Sequence, residues 1–196
     1  SNNKLTVIAT GTFKNMIIRI LDLGYNEITH VEENAITDMP NLEQILLSRN
    51  KIVKFHANSF VNTPKIWILD LRYNELCELG EKWFSCMKKE EPLIIELGHN
   101  NIEKIHPRTF DGISIWYMDL SHNKLNEVPG EMFTGSLAEL KLTNNTLEHL
   151  PDSFFQQKDL KGLNIGDNPL QCGTLQKLKK FAETNGAIIE YDNQKC

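Results

Sequence analysis

The segment LDLGYNEI at residues 21–28 recurs down the chain as LLSRNKI ending at Ile52, LDLRYNEL ending at Leu76, IELGHNNI ending at Ile102 and MDLSHNKL ending at Leu125. Aligned on its asparagine, the series runs Asn3, Asn26, Asn50, Asn74, Asn100, Asn123, Asn145 and Asn168. The intervals are 22 to 26 residues. A period that short holds one strand and a return segment, which cannot bury an apolar face alone, so the units must stack on one another.

Seven copies fit the template L-x-x-L-x-L-x-x-N-x-L, from Ile18, Leu21, Leu23, Asn26 and Ile28 to Leu160, Leu163, Ile165, Asn168 and Leu170. Only Pro92 breaks an apolar position, and the copy at Asn3 is partial. Alternation along a strand turns template positions 4 and 6 inward and positions 3, 5 and 7 outward. The asparagine follows the strand, where the backbone bends into the interior. Its amide carries both a donor and an acceptor, so a column of asparagines can bond the backbone of neighbouring turns. That column is expected to be structural.

Ten residues after the asparagines stand Phe13, Ile36, Phe60, Phe84, Phe110, Phe133 and Phe155. With this second column in register, the chain resembles leucine-rich repeat proteins that carry a phenylalanine spine on their outer side, over nearly its whole length. The resemblance implies an α/β, curved solenoid over residues 1–170, with one partial and seven full repeats. A parallel sheet would line its concave side and the phenylalanines its convex side. Residues 171–196, NPLQCGTLQKLKKFAETNGAIIEYDNQKC from Asn168 onward, read as an amphipathic helix with Leu175, Leu178 and Phe181 on one face and then an apolar strand. They resemble the small disulfide-linked C-terminal cap of extracellular leucine-rich repeats. The usual cap begins C-x-C; here Thr174 stands at the second cysteine. In this respect NPLQCGTL is similar to the caps of the secreted leucine-rich immune proteins of mosquitoes, of which the chain would be a coil-less or truncated member. That resemblance implies a secreted, extracellular protein of innate immunity. Its implied partners are a thioester-containing complement-like protein or another leucine-rich repeat protein.

Neighbouring strands lie about 4.8 Å apart, which puts Cys77 and Cys172 roughly 19 Å apart, beyond the roughly 7 Å limit for bridging. Pairing is therefore expected to be local, Cys77–Cys86 and Cys172–Cys196, with buried free thiols as the alternative for the first pair. Asn144-Asn145-Thr146 is a glycosylation sequon, with Asn144 beside the ladder asparagine.

The 21 basic and 26 acidic residues, net charge -5, speak against nucleic acid as a partner. No apolar run approaches the roughly 20 residues of a spanning helix, so no membrane insertion is expected. No nucleophile with a base, paired carboxylates in a cleft or metal cluster emerges, so neither an enzyme nor a cofactor is expected. The nearest grouping, Glu96, Asp119, His99 and His122, reads more simply as solvated side chains than as a metal site.

The outward columns carry the functional signal. Trp67 and Ile68, Leu93 and Ile94, and Trp116 and Tyr117 occupy positions 2 and 3 on three successive rungs, an expected apolar strip for binding a protein. Asp70, Tyr73, Glu96, His99, Asp119 and His122 rim it. The alternative is that the tryptophans fold over the strand edge as extra core. Two function classes follow: a secreted recognition module, or the ectodomain of a cell-surface receptor or adhesion protein.

Overall fold

The computed structural model describes residues 3–56, 58–87 and 91–192. Its concave side is one parallel sheet of eight short strands: β1 (Ile20–Asp22), β2 (Gln44–Leu46), β3 (Ile68–Asp70), β4 (Leu93–Glu96), β5 (Ile115–Asp119), β6 (Leu137–Lys141), β7 (Gly162–Asn164) and β8 (Ile188–Glu190). Each strand pairs with the next in chain order. The return segments are crossovers, as parallel pairing requires.

The inward positions form the core: Leu69 and Leu71, Ile95 and Leu97, Met118 and Leu120, Leu140 and Leu142 are all essentially solvent-free. The asparagines do what their chemistry permits. Asn74 Oδ1 accepts the Ile52 N–H of the preceding turn at 3.0 Å, while its Nδ2 donates to Leu47 O and Leu71 O, each at 3.0 Å. The same pattern holds at Asn50, Asn100, Asn123, Asn145 and Asn168. Each asparagine thus ties its own turn to the one before and leaves the bend satisfied without water.

On the outer side, two-residue strands close the first three turns, with Phe13, Ile36 and Phe60 in register. Beyond them the Phe110 ring stacks between Phe84, at 5.1 Å, and Phe133, at 5.8 Å. Phe60, Phe84, Phe110 and Phe133 are buried, while Phe13, in the first turn, is half-buried. At the other end the spine shifts by one residue. Phe154 fills the core and Phe155 is only half-buried, because the seventh return segment is a 3-10 turn, Asp152–Gln156, that faces a helix instead of another repeat. Phe155 meets Phe154 edge-on at 5.7 Å and Phe181 of that helix at 6.0 Å.

That helix, α1 (Cys172–Asn185), buries Thr174, Leu175, Leu178 and Phe181 against the last repeat. Gly186 ends it in a left-handed conformation, φ 62°, with its N–H on Ala182 O, and releases the chain into β8. Thr174 donates its hydroxyl to Glu148 O at 3.2 Å, so the residue at the family's second cysteine position is a buried contact with the last turn. Cys196 lies outside the described residues, and with it the expected Cys172–Cys196 bridge.

The Cys77–Cys86 bridge does not form, and both thiols are free. Cys77 is exposed, and its thiol faces Glu75 O at 3.5 Å. Cys86 sits in the 3-10 turn Ser85–Met87, half-buried against the core. There it lies beside Pro40, Thr63 and Pro64 of earlier turns. Burial pushes its thiol pKa up, which makes it a weak nucleophile. The longer return arc of this repeat leaves Cys77 exposed and packs Cys86 against the core.

Candidate protein-binding face

The register of the sheet sorts the expected site residues into rows. Ile68, Ile94 and Tyr117 align on successive rungs, and Asp70, Glu96 and Asp119 align beside them. Trp67 is 38% exposed and Trp116 55%, so neither tryptophan is core. Ile68, Ile94 and Tyr117 are half-buried between them. Trp67 also bonds the Glu43 carboxylate, which the Arg19 guanidinium grips with two bonds of 2.9 and 2.8 Å and holds below its ordinary pKa.

Leu93 does not belong to the strip. It is 1% exposed and pairs with Ile115, one template position earlier, because the register shifts between Leu93 and Ile94. Pro92 stands where the template needs an apolar residue whose backbone continues the strand. Proline has no N–H to give the ladder, so Leu93 moves into the core slot. The Leu93 N–H reaches Ser114 O at 2.9 Å, and on the next strand Trp116 becomes the extra residue, bulged outward.

The carboxylate row is cross-linked by Arg72, which sequence reasoning passed over. Its guanidinium bonds Asp70 at 3.0 Å and Glu96 at 2.6 Å, across two rungs. These carboxylates hold Arg72 well above its ordinary pKa, the hydrogen bond to Asp70 being the largest cause. Asp70 is buried beneath it. Glu96 has a raised pKa despite the ion pair, since partial desolvation outweighs Arg72 and the charges of Asp70 and Asp119 add to it. Asp119 accepts the Ser121 N–H at 2.8 Å. Lys141 lies 5.5 Å from the Tyr117 ring centre, and its pKa is raised chiefly by its hydrogen bond to Tyr117.

A third row runs along the rim, where the chain leaves each strand. Tyr25, Arg49, Tyr73, His99, His122, Asn144 and Asp167 all sit in the left-handed region, φ 52° to 57°. Non-glycine residues adopt it at a cost of order 1 kcal/mol or more, which the asparagine ladder one residue later holds in place. Their side chains stack: Tyr73 on His99 at 4.2 Å and His99 on His122 at 4.1 Å, both within 9° of parallel. The Arg49 guanidinium lies 4.2 Å from the Tyr73 ring centre and 5.3 Å from that of Tyr25. A column of polar residues in the sequence is therefore a continuous cation-aromatic ladder. Asn144 extends it as an exposed residue, open to the modification its sequon anticipates; Thr146 of the same sequon donates its hydroxyl to Leu125 O at 3.0 Å. Among the described residues no group of three or more His, Cys, Asp or Glu has the geometry to hold a metal ion, and no helix is long and apolar enough to cross a membrane.

Desolvation in this stack, followed by the facing His122, lowers the pKa of His99 below its ordinary 6.5. An unfolded chain takes up that proton first, so the contribution of His99 to stability falls as pH drops from about 6.5 toward the folded value, and is unaffected above it. An NMR titration should show His99 with a midpoint below 6.5. His122→Ala should raise it, by removing a neighbouring charge and admitting water. A midpoint at or above 6.5 would be incompatible with the stack.

Comparison with known proteins agrees with this architecture. A model of the family "Leucine rich repeat" matches residues 1–52 and 117–170, more than half of the chain. Osteomodulin from Bos taurus is 28% identical over 151 residues, covering 72% of this chain and 35% of its own length. The transforming growth factor beta activator LRRC33 of Danio rerio is 26% identical over 179 residues, covering 85% of this chain and 26% of its own. The chain thus spans about a third or less of these relatives. Among solved structures, a leucine-rich repeat protein from Bacteroides thetaiotaomicron superposes with a TM-score of 0.62 at 18% identity, over 78% of this chain and 20% of that one. With the asparagine ladder, the parallel sheet and the family match in agreement, the chain belongs to the leucine-rich repeat family.

Proposed function

We propose that the chain is a secreted recognition module that binds another extracellular protein through its concave sheet and the adjoining rim. The observation that carries this reading is the pair of exposed tryptophans, Trp67 and Trp116, flanking Ile68, Ile94 and Tyr117 on three successive rungs. A soluble surface has no use for two such side chains on one face unless something covers them, and tryptophan and tyrosine dominate interface hot spots. The similarity to a protein named as an activator of transforming growth factor beta supports a protein ligand. The cap sequence NPLQCGTL supports the finer reading, a module of innate immunity whose partner is a thioester-containing complement-like protein or another leucine-rich repeat protein.

The test is capture of partners from extracellular fluid, with affinity and melting temperature measured together. Trp116→Ala should weaken binding by at least about 2 kcal/mol, some thirtyfold, and leave the melting temperature within a few degrees of the parent. Unchanged affinity would place the interface elsewhere on the solenoid.

A further inference from the structure

The two outward rows of the concave sheet differ sharply in character. The row through Ile68, Ile94 and Tyr117 is apolar at its centre. The two rows together carry six carboxylates, Asp22, Asp70, Glu96, Asp119, Glu139 and Glu190, against one ammonium, Lys141. Lys141 is already engaged with Tyr117, and Arg72 reaches only Asp70 and Glu96. Glu139 makes no ion pair among the described residues, and Asp119 receives a single backbone N–H at 2.8 Å. The apolar row then ends in a notch. At Gly162 it loses its side chain, and a cavity of about 340 Å³ opens on this face, lined by Tyr117, Glu139, Lys141, Lys161, Ile188 and Glu190, with the Lys161 ammonium donating to Asn185 O at 3.2 Å. Gly162 is flanked by Ile188, 73% exposed, on one neighbouring strand and by Glu139 on the other, with Tyr117 one rung beyond Glu139.

We propose that this face receives a basic segment of the partner protein, with apolar side chains along Ile94, Tyr117 and the Gly162 notch and arginine or lysine side chains against Asp119 and Glu139. The assignment rests on the binding-module reading above and adds the chemistry of the partner. An acidic segment would meet the carboxylate row with almost no cation free to receive it, and like charges across an interface exclude a partner strongly. A neutral apolar segment would cover the tryptophans and leave the unmatched carboxylates desolvated, which is costly. An arginine meets both demands, its stem on apolar surface and its guanidinium forked onto carboxylate.

The hexapeptide Arg-Leu-Arg-Leu-Arg-Leu, with Glu-Leu-Glu-Leu-Glu-Leu as its counterpart, tests this by NMR shift mapping on the intact chain. The basic peptide should shift the amides of Ile94, Tyr117, Glu139 and Gly162 and the acidic one should not. The double variant Glu139→Lys/Asp119→Asn should weaken the basic peptide at least about tenfold. Asparagine keeps the oxygen that accepts the Ser121 N–H, Glu139 is exposed, and a melting curve confirms that the variant is folded. Equal response to both peptides, shifts confined to other strands, or affinity unchanged in the folded variant would overturn the proposal. In partner capture, loss with Trp116→Ala but retention with Glu139→Lys/Asp119→Asn would refute the basic partner and leave the binding-module reading standing. Retention with Trp116→Ala would place the interface elsewhere on the solenoid and overturn both the concave-face reading and this proposal.

Discussion

Asn100→Ala should destabilise the chain by about 1–3 kcal/mol in a denaturant titration, a larger loss than removing so small a polar side chain would cost on a surface. Asn100 accepts the Leu76 N–H at 3.1 Å and donates to Leu71 O and Leu97 O, each at 3.0 Å. It is 8% exposed, and an alanine would leave the buried Leu76 N–H without a partner, while Leu71 O and Leu97 O would each lose one donor and keep another, from Asn74 and Asn123. A buried donor left without a partner costs about 1–3 kcal/mol. Because the amide joins two turns, hydrogen exchange should accelerate first at Leu76 and at the amides around residues 97–102, and only later at the ends of the array. A loss below about 1 kcal/mol would show that water replaces the amide and that the column is dispensable.

Phe110→Ala is expected to cost about 3–5 kcal/mol. In a chain of this size that corresponds to a fall in melting temperature of roughly 6 to 20 °C. The ring is solvent-free and stacked on both faces, so its loss leaves a cavity that Phe84 and Phe133 cannot close without leaving their own turns. Phe155→Ala, at a half-buried ring that touches its neighbours edge-on, should cost clearly less. Equal losses at the two positions would mean that the spine is not ordered as the structure has it.

How much of this was legible beforehand differs by residue. The position-8 column, Tyr25 to Asp167, could be read off the repeat, but its left-handed backbone and its stacking could not. Two aromatic rings lie face to face only if successive turns deliver them at the same height and angle, which depends on the rise of the whole array. Arg72 was invisible for a related reason. A long flexible side chain finds its carboxylates by distance, and Glu96 is 24 residues away in sequence but one rung away in the sheet.

What repeats locally is legible in the residues alone. Strand alternation sends template positions 4 and 6 into the core, and an amide is the one uncharged side chain that can satisfy both a donor and acceptors at the buried bend, so the solenoid and its asparagine ladder follow from periodicity alone. Tertiary structure decided what happens where the repeat is interrupted. Pro92 denies β4 an N–H, so Leu93 drops into the core and Trp116 bulges out. The seventh turn faces a helix, so Phe154 replaces Phe155 in the spine. The long fourth return arc separates exposed Cys77 from Cys86, which packs against the core, so no bridge closes. Gly162 opens a notch only because Glu139 and Ile188, far off in the chain, stand on either side of it. Each of these outcomes depends on which neighbour a residue meets in the stack, and a neighbour two dozen residues away exerts its influence only after the turns have packed.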